Sequence, residues 1–200
     1  MKVRNDHGFT LLEVVVSIAL GVVTLGTIYS VYAGQVRAQV VRDDTLDMQQ
    51  HARAAMDVIL RELRMAGYDP RHVNLDGSAM NDFDGIVYHP TQLHIKADLN
   101  GNGSPTDANE SIRYSHDRDT MTLRRDTGGG RQPVAEHIES FSIHYFNRHG
   151  LPTIDSQQIR QVAVTIKART ATPDQRYPLN HGYRTFTLHS RMSIRNIGLS

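Results

Sequence analysis

The chain has 200 residues, of which 39% are hydrophobic, a formal net charge of +1, and no cysteine. That hydrophobic share supports one modest core but not a multi-span membrane protein, and the near balance of charge leaves no nucleic-acid footprint. Without cysteine there are no disulfides, no Cys-based zinc motifs and no thiol nucleophile.

The amino terminus reads as a short basic leader with Lys2 and Arg4, ending at Gly8. Phe9 follows, and one carboxylate, Glu13, stands before an apolar run in which Val14 to Ala33 contain no acid or base. Such a run is long enough to cross a bilayer as a helix, which takes about 20 residues. A carboxylate at its mouth is costly and therefore points to a role. An ordinary secretory signal would place its small-residue cleavage site at Val31-Tyr32-Ala33, and a plain signal anchor would leave the chain uncut. Neither explains the glycine, the phenylalanine and the glutamate together.

The string Gly8-Phe9-Thr10-Leu11-Leu12-Glu13 resembles the class III leader and processing site of type IV pilins and related pseudopilins. By that resemblance, residues 1–8 are the leader removed by a prepilin peptidase. Gly8 precedes the cut, Phe9 becomes the N-methylated first residue, and Glu13 is the fifth, the one that pairs with an amino terminus during assembly. The basic leader should remain cytoplasmic and the carboxy-terminal bulk should lie outside. The expected location is a single pass of the inner membrane with a periplasmic head, and then a pilus tip at the cell surface.

No proline occurs from Met1 to Asp69. Beyond the apolar run, Met48, Ala52, Ala55, Met56, Ile59, Leu63 and Ala66 recur at steps of three and four, which predicts a helix with one buried face. Arg53, Asp57 and Arg61 lie at i, i+4 spacing on another face and are placed to pair along it. Gly67, with Tyr68-Asp69-Pro70 behind it, reads as a C-cap and stop. The spacing thus predicts one stem helix over residues 9–67, with about 9–33 in the membrane or filament core. At about 1.5 Å per residue it would run roughly 85–90 Å.

After Pro70 the period changes to two. Leu93, Ile95 and Ala97 alternate with polar neighbours, as do Met121 and Leu123, Phe141, Ile143 and Tyr145, and Val162, Val164, Ile166 and Ala168. Phe186, Leu188, Met192 and Ile194 follow the same rule with a gap at Ser190, and short strands are predicted near Ile86–His89 and Ile112–Ser115. Alternation with one polar face implies antiparallel sheets solvated on one side. Gly128-Gly129-Gly130, His149-Gly150-Leu151-Pro152 and Thr172–Gly182 read as loops. The expected fold is α+β: the helix, then a β-rich head over residues 68–200, with seven or eight strands in one or two sheets.

The stretch Ala54 to Pro70, with the strand pair Val162–Arg169 and Thr185–Arg195, is similar to the corresponding parts of PilW-type minor pilins and of the related GspJ-type pseudopilins of type II secretion. This likeness implies a protruding helix with a globular head, and a minor subunit of the tip complex that initiates filaments. Its partners would be other minor pilins, the major pilin and a tip adhesin. Minor status comes from the likeness, not from spacing or composition. The alternative on the same architecture is a minor pseudopilin of type II secretion. A third class, a membrane-tethered periplasmic enzyme or binding module, would need a convergent polar pocket.

Within the head, Asp98, Asn100 and Asn102 at alternate positions, then Gly103, match the first half of an EF-hand-like calcium loop. Ser104, Asp107 and Glu110 complete a candidate oxygen set, although Glu110 falls one residue beyond the motif's closing position, at Asn109. The competing reading is a polar Asn-Gly turn that binds nothing. Eleven histidines show no ligand spacing, and Ser115-His116-Asp117 are sequence neighbours rather than a triad built in space. Neither a nucleophile elbow nor a Walker loop occurs. The row Lys167, Arg169, Arg191 and Arg195 reads as a solvated sheet face or as a surface for an acidic partner or DNA. No catalytic residue is expected.

Overall fold

A computed structural model describes residues 10–70 and 83–196. The chain divides into two compact units, Met1–Asp43 and Asp44–Ser200. One helix, α1 (Leu11–Met65), runs through both. In the first unit most of its apolar side chains, among them Leu11, Leu12, Ile18, Leu25 and Ile28, are exposed. It is the one helix among the described residues long and apolar enough to cross a membrane.

The second unit holds the rest of α1 and eight strands in two sheets. The first sheet is an antiparallel meander of β1 (Ile86–Val87), β2 (Gln92–Lys96), β3 (Ser111–Asp117), β4 (Thr122–Asp126) and β5 (Arg131–Ala135). The second is a meander of β6 (Ile138–Phe146), β7 (Gln161–Arg169) and β8 (Thr185–Ser193). Its nine-residue β7–β8 register is unbroken from Arg169↔Thr185 to Gln161↔Ser193.

The helical stripe is the core face: Met48, Ala52, Ala55, Met56, Ile59, Leu63 and Ala66 are all buried, in one cluster with Leu93, Ile95, Tyr114, Leu123, Val162, Val164 and Ile166. Each fully buried aliphatic side chain contributes about 1.5–3 kcal/mol. The polar face behaves differently from expectation. Arg53 lies over the Phe186 ring, 5.7 Å from its centroid, rather than pairing with Asp57.

The helix stops at Gly67, whose φ of 71° suits a glycine cap. Its N–H does not turn back into the helix. It donates to the Lys96 carbonyl at 2.9 Å, while Tyr68 N–H donates to Met65 at 2.9 Å and Asp98 N–H to Tyr68 at 2.8 Å. The helix end is thereby stitched to the end of β2. Gly85 crosses Gly67 so closely that a Cβ there would lie 2.4 Å from the Gly67 nitrogen. Tyr145 joins the two sheets: its hydroxyl donates to the Gln92 carbonyl at 2.9 Å, and its ring meets Tyr88 edge-on at 5.4 Å.

Two expectations for the head change. Met121, read as a strand core position, sits in a turn with φ 49°. Thr122 and Leu123 are consecutive and both buried, because the register shifts between Leu123 and Arg124. Strand β5 has no period-two signature in the sequence. It contains Pro133, tolerated because β5 is an edge strand.

Candidate functional site

Gly8 and Phe9 lie outside the described residues. The helix that follows them begins with a cap: Thr10 Oγ1 accepts from the Glu13 N–H at 3.3 Å. Thr-x-x-Glu is the spacing of a capping box. Glu13 thus occupies the first turn of α1, where the helix dipole favours a carboxylate. Along the apolar run, Ser17, Thr24, Thr27 and Ser30 donate their hydroxyls to carbonyls three or four residues back, at 2.7–2.9 Å. Each of these four hydroxyls is satisfied within the helix, as a lipid environment requires.

The Asp98–Glu110 loop does bring the oxygen-bearing residues together, but their oxygens face the loop's own hydrogens. Asp98 is fully buried. Its Oδ1 accepts from Gly101 N–H at 2.6 Å and Asn102 N–H at 3.3 Å, and its Oδ2 from Gly103 N–H at 2.7 Å. Glu110 Oε1 accepts from Leu99 and Asn100 N–H, and Oε2 from Asp107 N–H. Asp107 Oδ2 takes both the Asn100 and Asn102 amides, at 2.7 and 2.9 Å. Asn102 Oδ1 caps Ser104 N–H at 2.8 Å. Two buried carboxylates replace the ladder bonds that this turn lacks. Among the described residues no group of three or more His, Asp or Glu side chains is arranged to hold a metal.

Three histidines of the strands are held by neighbours: His94 by Ser111 at 2.9 Å, His116 by the Ile138 carbonyl at 2.7 Å, and His189 by Thr165 at 2.9 Å. Ser115, His116 and Asp117 are not linked. Asp117 receives Asp119 and Thr120 N–H and Arg124 Nε. The basic row on the second sheet is largely engaged. Lys167 pairs with Glu139 at 3.2 Å, Arg169 stacks on Tyr183 at 4.0 Å, and Arg191 stacks on Phe146 at 4.0 Å.

Sequence reasoning missed a depression in the first sheet, lined in part by Arg118, Arg124 and Arg131. Its signal was available. Arg124 and Arg131 flank the Gly128–Gly130 hairpin, which returns them to adjacent strands; without β5 in hand, Arg131 had no place.

Residues 3–29 match the family model for the prokaryotic N-terminal methylation motif. That span contains Gly8, Phe9 and Glu13. No curated protein matches the chain. Among solved structures, a type IV-like pilin from Thermus thermophilus is similar over 75% of this chain and 98% of its own, at 13% identity and a TM-score of 0.47.

Proposed function

We propose that this type IV pilin-like chain is a minor subunit of a type IV pilus, acting in the tip complex that initiates assembly. The observation that carries the reading is the match to the N-terminal methylation motif over residues 3–29, which runs into a helix apolar enough to cross a membrane. In this reading a prepilin peptidase cuts after Gly8, Phe9 is N-methylated, and α1 holds the subunit in the inner membrane until it enters the filament. The head, on the outer side, meets the other minor pilins, the major pilin and a tip adhesin. The role is structural rather than enzymatic.

Sequencing the amino terminus of the mature protein tests the foundation. A methylated Phe9 is the expected first residue; a start at Gly34 or an uncut Met1 overturns the reading. Gly8→Val should leave full-length protein in the membrane, because a Cβ branch at the cut obstructs close approach of the peptidase to the backbone. Mass spectrometry of sheared filaments after pull-down tests the finer assignment. Pilins as partners support it, whereas secretion-channel components would place the chain among pseudopilins.

A further inference from the structure

The first sheet carries an open depression of about 600 Å3, within the range of small-ligand sites. Its chemistry is one-sided. Arg118, Arg124 and Arg131 bring three guanidinium groups, and Thr91, Gln92 and Ser115 add neutral hydrogen-bonding groups. The carboxylate in its lining, Asp117, is already satisfied. Oδ1 accepts from Asp119 and Thr120 N–H at 3.2 and 3.3 Å, and Oδ2 from Arg124 Nε at 3.3 Å.

That last contact uses only Nε, so the terminal amino groups of Arg124 keep their donors. Arg118 and Arg131 are exposed, and neither forms an ion pair with another described residue. Elsewhere in the head four arginines are committed: Arg125 to Glu62, Arg184 to Asp174, and Arg169 and Arg191 to aromatic rings. A row of surface arginines is ordinarily solvated and means nothing. Here the three converge on a concavity with neutral hydrogen-bonding groups between them, and the carboxylate in the lining, Asp117, neutralises only Arg124. Such a site favours an acceptor-rich anion.

We propose that this depression binds a sugar-sized anion: an acidic saccharide unit whose carboxylate or phosphate lies among Arg118, Arg124 and Arg131, with its hydroxyls toward Thr91, Gln92 and Ser115. The size argues against a nucleic acid, whose backbone needs a run of cations along a groove. The open mouth suits a terminal unit of a polymer. The site lies within the head and does not depend on processing after Gly8.

Calorimetric titration of the full-length protein in detergent micelles tests the assignment, with galacturonate, glucose 6-phosphate and glucose as probes. At least one anion should bind saturably and the neutral sugar should not; which anion binds identifies the charged group. Affinity should fall about tenfold in Arg118→Gln and in Arg131→Gln, each losing a charge-assisted hydrogen bond, and should fall as salt is raised. Both positions are exposed, so circular dichroism should show folded variants, and Arg131→Lys should retain part of the affinity through its charge. Binding of neither anion, glucose binding as well as its phosphate, or unchanged affinity in both glutamine variants overturns the proposal.

Discussion

Tyr114 on β3 donates its phenolic hydrogen to Glu62 on α1, across 52 positions of sequence. Arg125, paired with Tyr114 in the β3–β4 register, donates to the other Glu62 oxygen at 2.8 Å. Tyr114 is fully buried, and its hydroxyl is held above its ordinary pKa, chiefly by burial and then by the Glu62 bond. A carboxylate among apolar neighbours is tolerable here because both its oxygens are met, one by a neutral donor and one by a cation.

Tyr114→Phe removes the neutral donor and leaves the ring in place. Stability should fall by about 1–2 kcal/mol, since a buried bond to a charged acceptor is lost. Thermal unfolding followed by circular dichroism reads the change. An unchanged midpoint would mean that Arg125 alone satisfies Glu62.

Gly85→Ala should be more damaging than its size suggests. The added Cβ meets the Gly67 nitrogen at 2.4 Å and its Cα at 2.6 Å, backbone that cannot rotate away. A loss of about 3 kcal/mol is expected, at the top of the overpacking range. Ala at Gly129, where nothing lies within 4 Å, is the control and should melt near wild type.

Asp98→Ala strips three backbone N–H groups of their acceptor in a buried site. The loop geometry predicts a lowered midpoint of equal size in calcium and in chelator, because the bonds are internal. A wild-type midpoint that rises with calcium, and an Asp98→Ala midpoint that does not, would instead assign the loop to calcium through preferential binding to the folded state.

His94 is held down to about 4, first by burial and then by Arg113, Lys96 and His89; its ring also meets the Ser111 hydroxyl. In the unfolded chain the ring takes a proton near its ordinary value of 6.5, so between these limits the unfolded state binds more protons. The native state is therefore increasingly penalised as pH falls through that window, and the penalty is absent above it. In His94→Gln the drop in melting temperature between neutral and mildly acidic pH should be smaller than in wild type. Equal drops would show that His94 does not contribute.

Glu13→Gln separates two roles that the geometry superimposes. Glutamine still fits the capping box that Thr10 begins, so the helix start should survive, as should cleavage after Gly8 and membrane insertion. What disappears is the charge that, in the pilin reading, attracts the amino terminus of Phe9 where water is excluded. Complementing a deletion strain and counting surface filaments by electron microscopy should show failed initiation. Wild-type numbers would leave Glu13 as a cap only.

The amino-terminal motif, the apolar run and the buried stripe from Met48 to Ala66 were legible in the sequence, because each is a local string or a local period. A helix buries the same face wherever its sheet lies, and alternation marks most strands of the head for the same reason. Tertiary structure alone decided what depends on distant partners. Strand β5 exists because β4 offers it a ladder edge, which carries Pro133 against its propensity. Met121 falls in the turn before β4, with φ 49°, and Thr122 and Leu123 are buried together beside the point where the β4–β5 register shifts. The Asp98 and Glu110 carboxylates look like metal ligands in sequence, but folded backbone N–H groups reach them from within the loop. Glu62 and Tyr114 meet only when the helix and a strand 52 positions away come together, and the arginines of the depression meet only once β5 takes its place beside β4. No periodicity records such pairings, since they follow from strand order and register rather than from neighbouring residues.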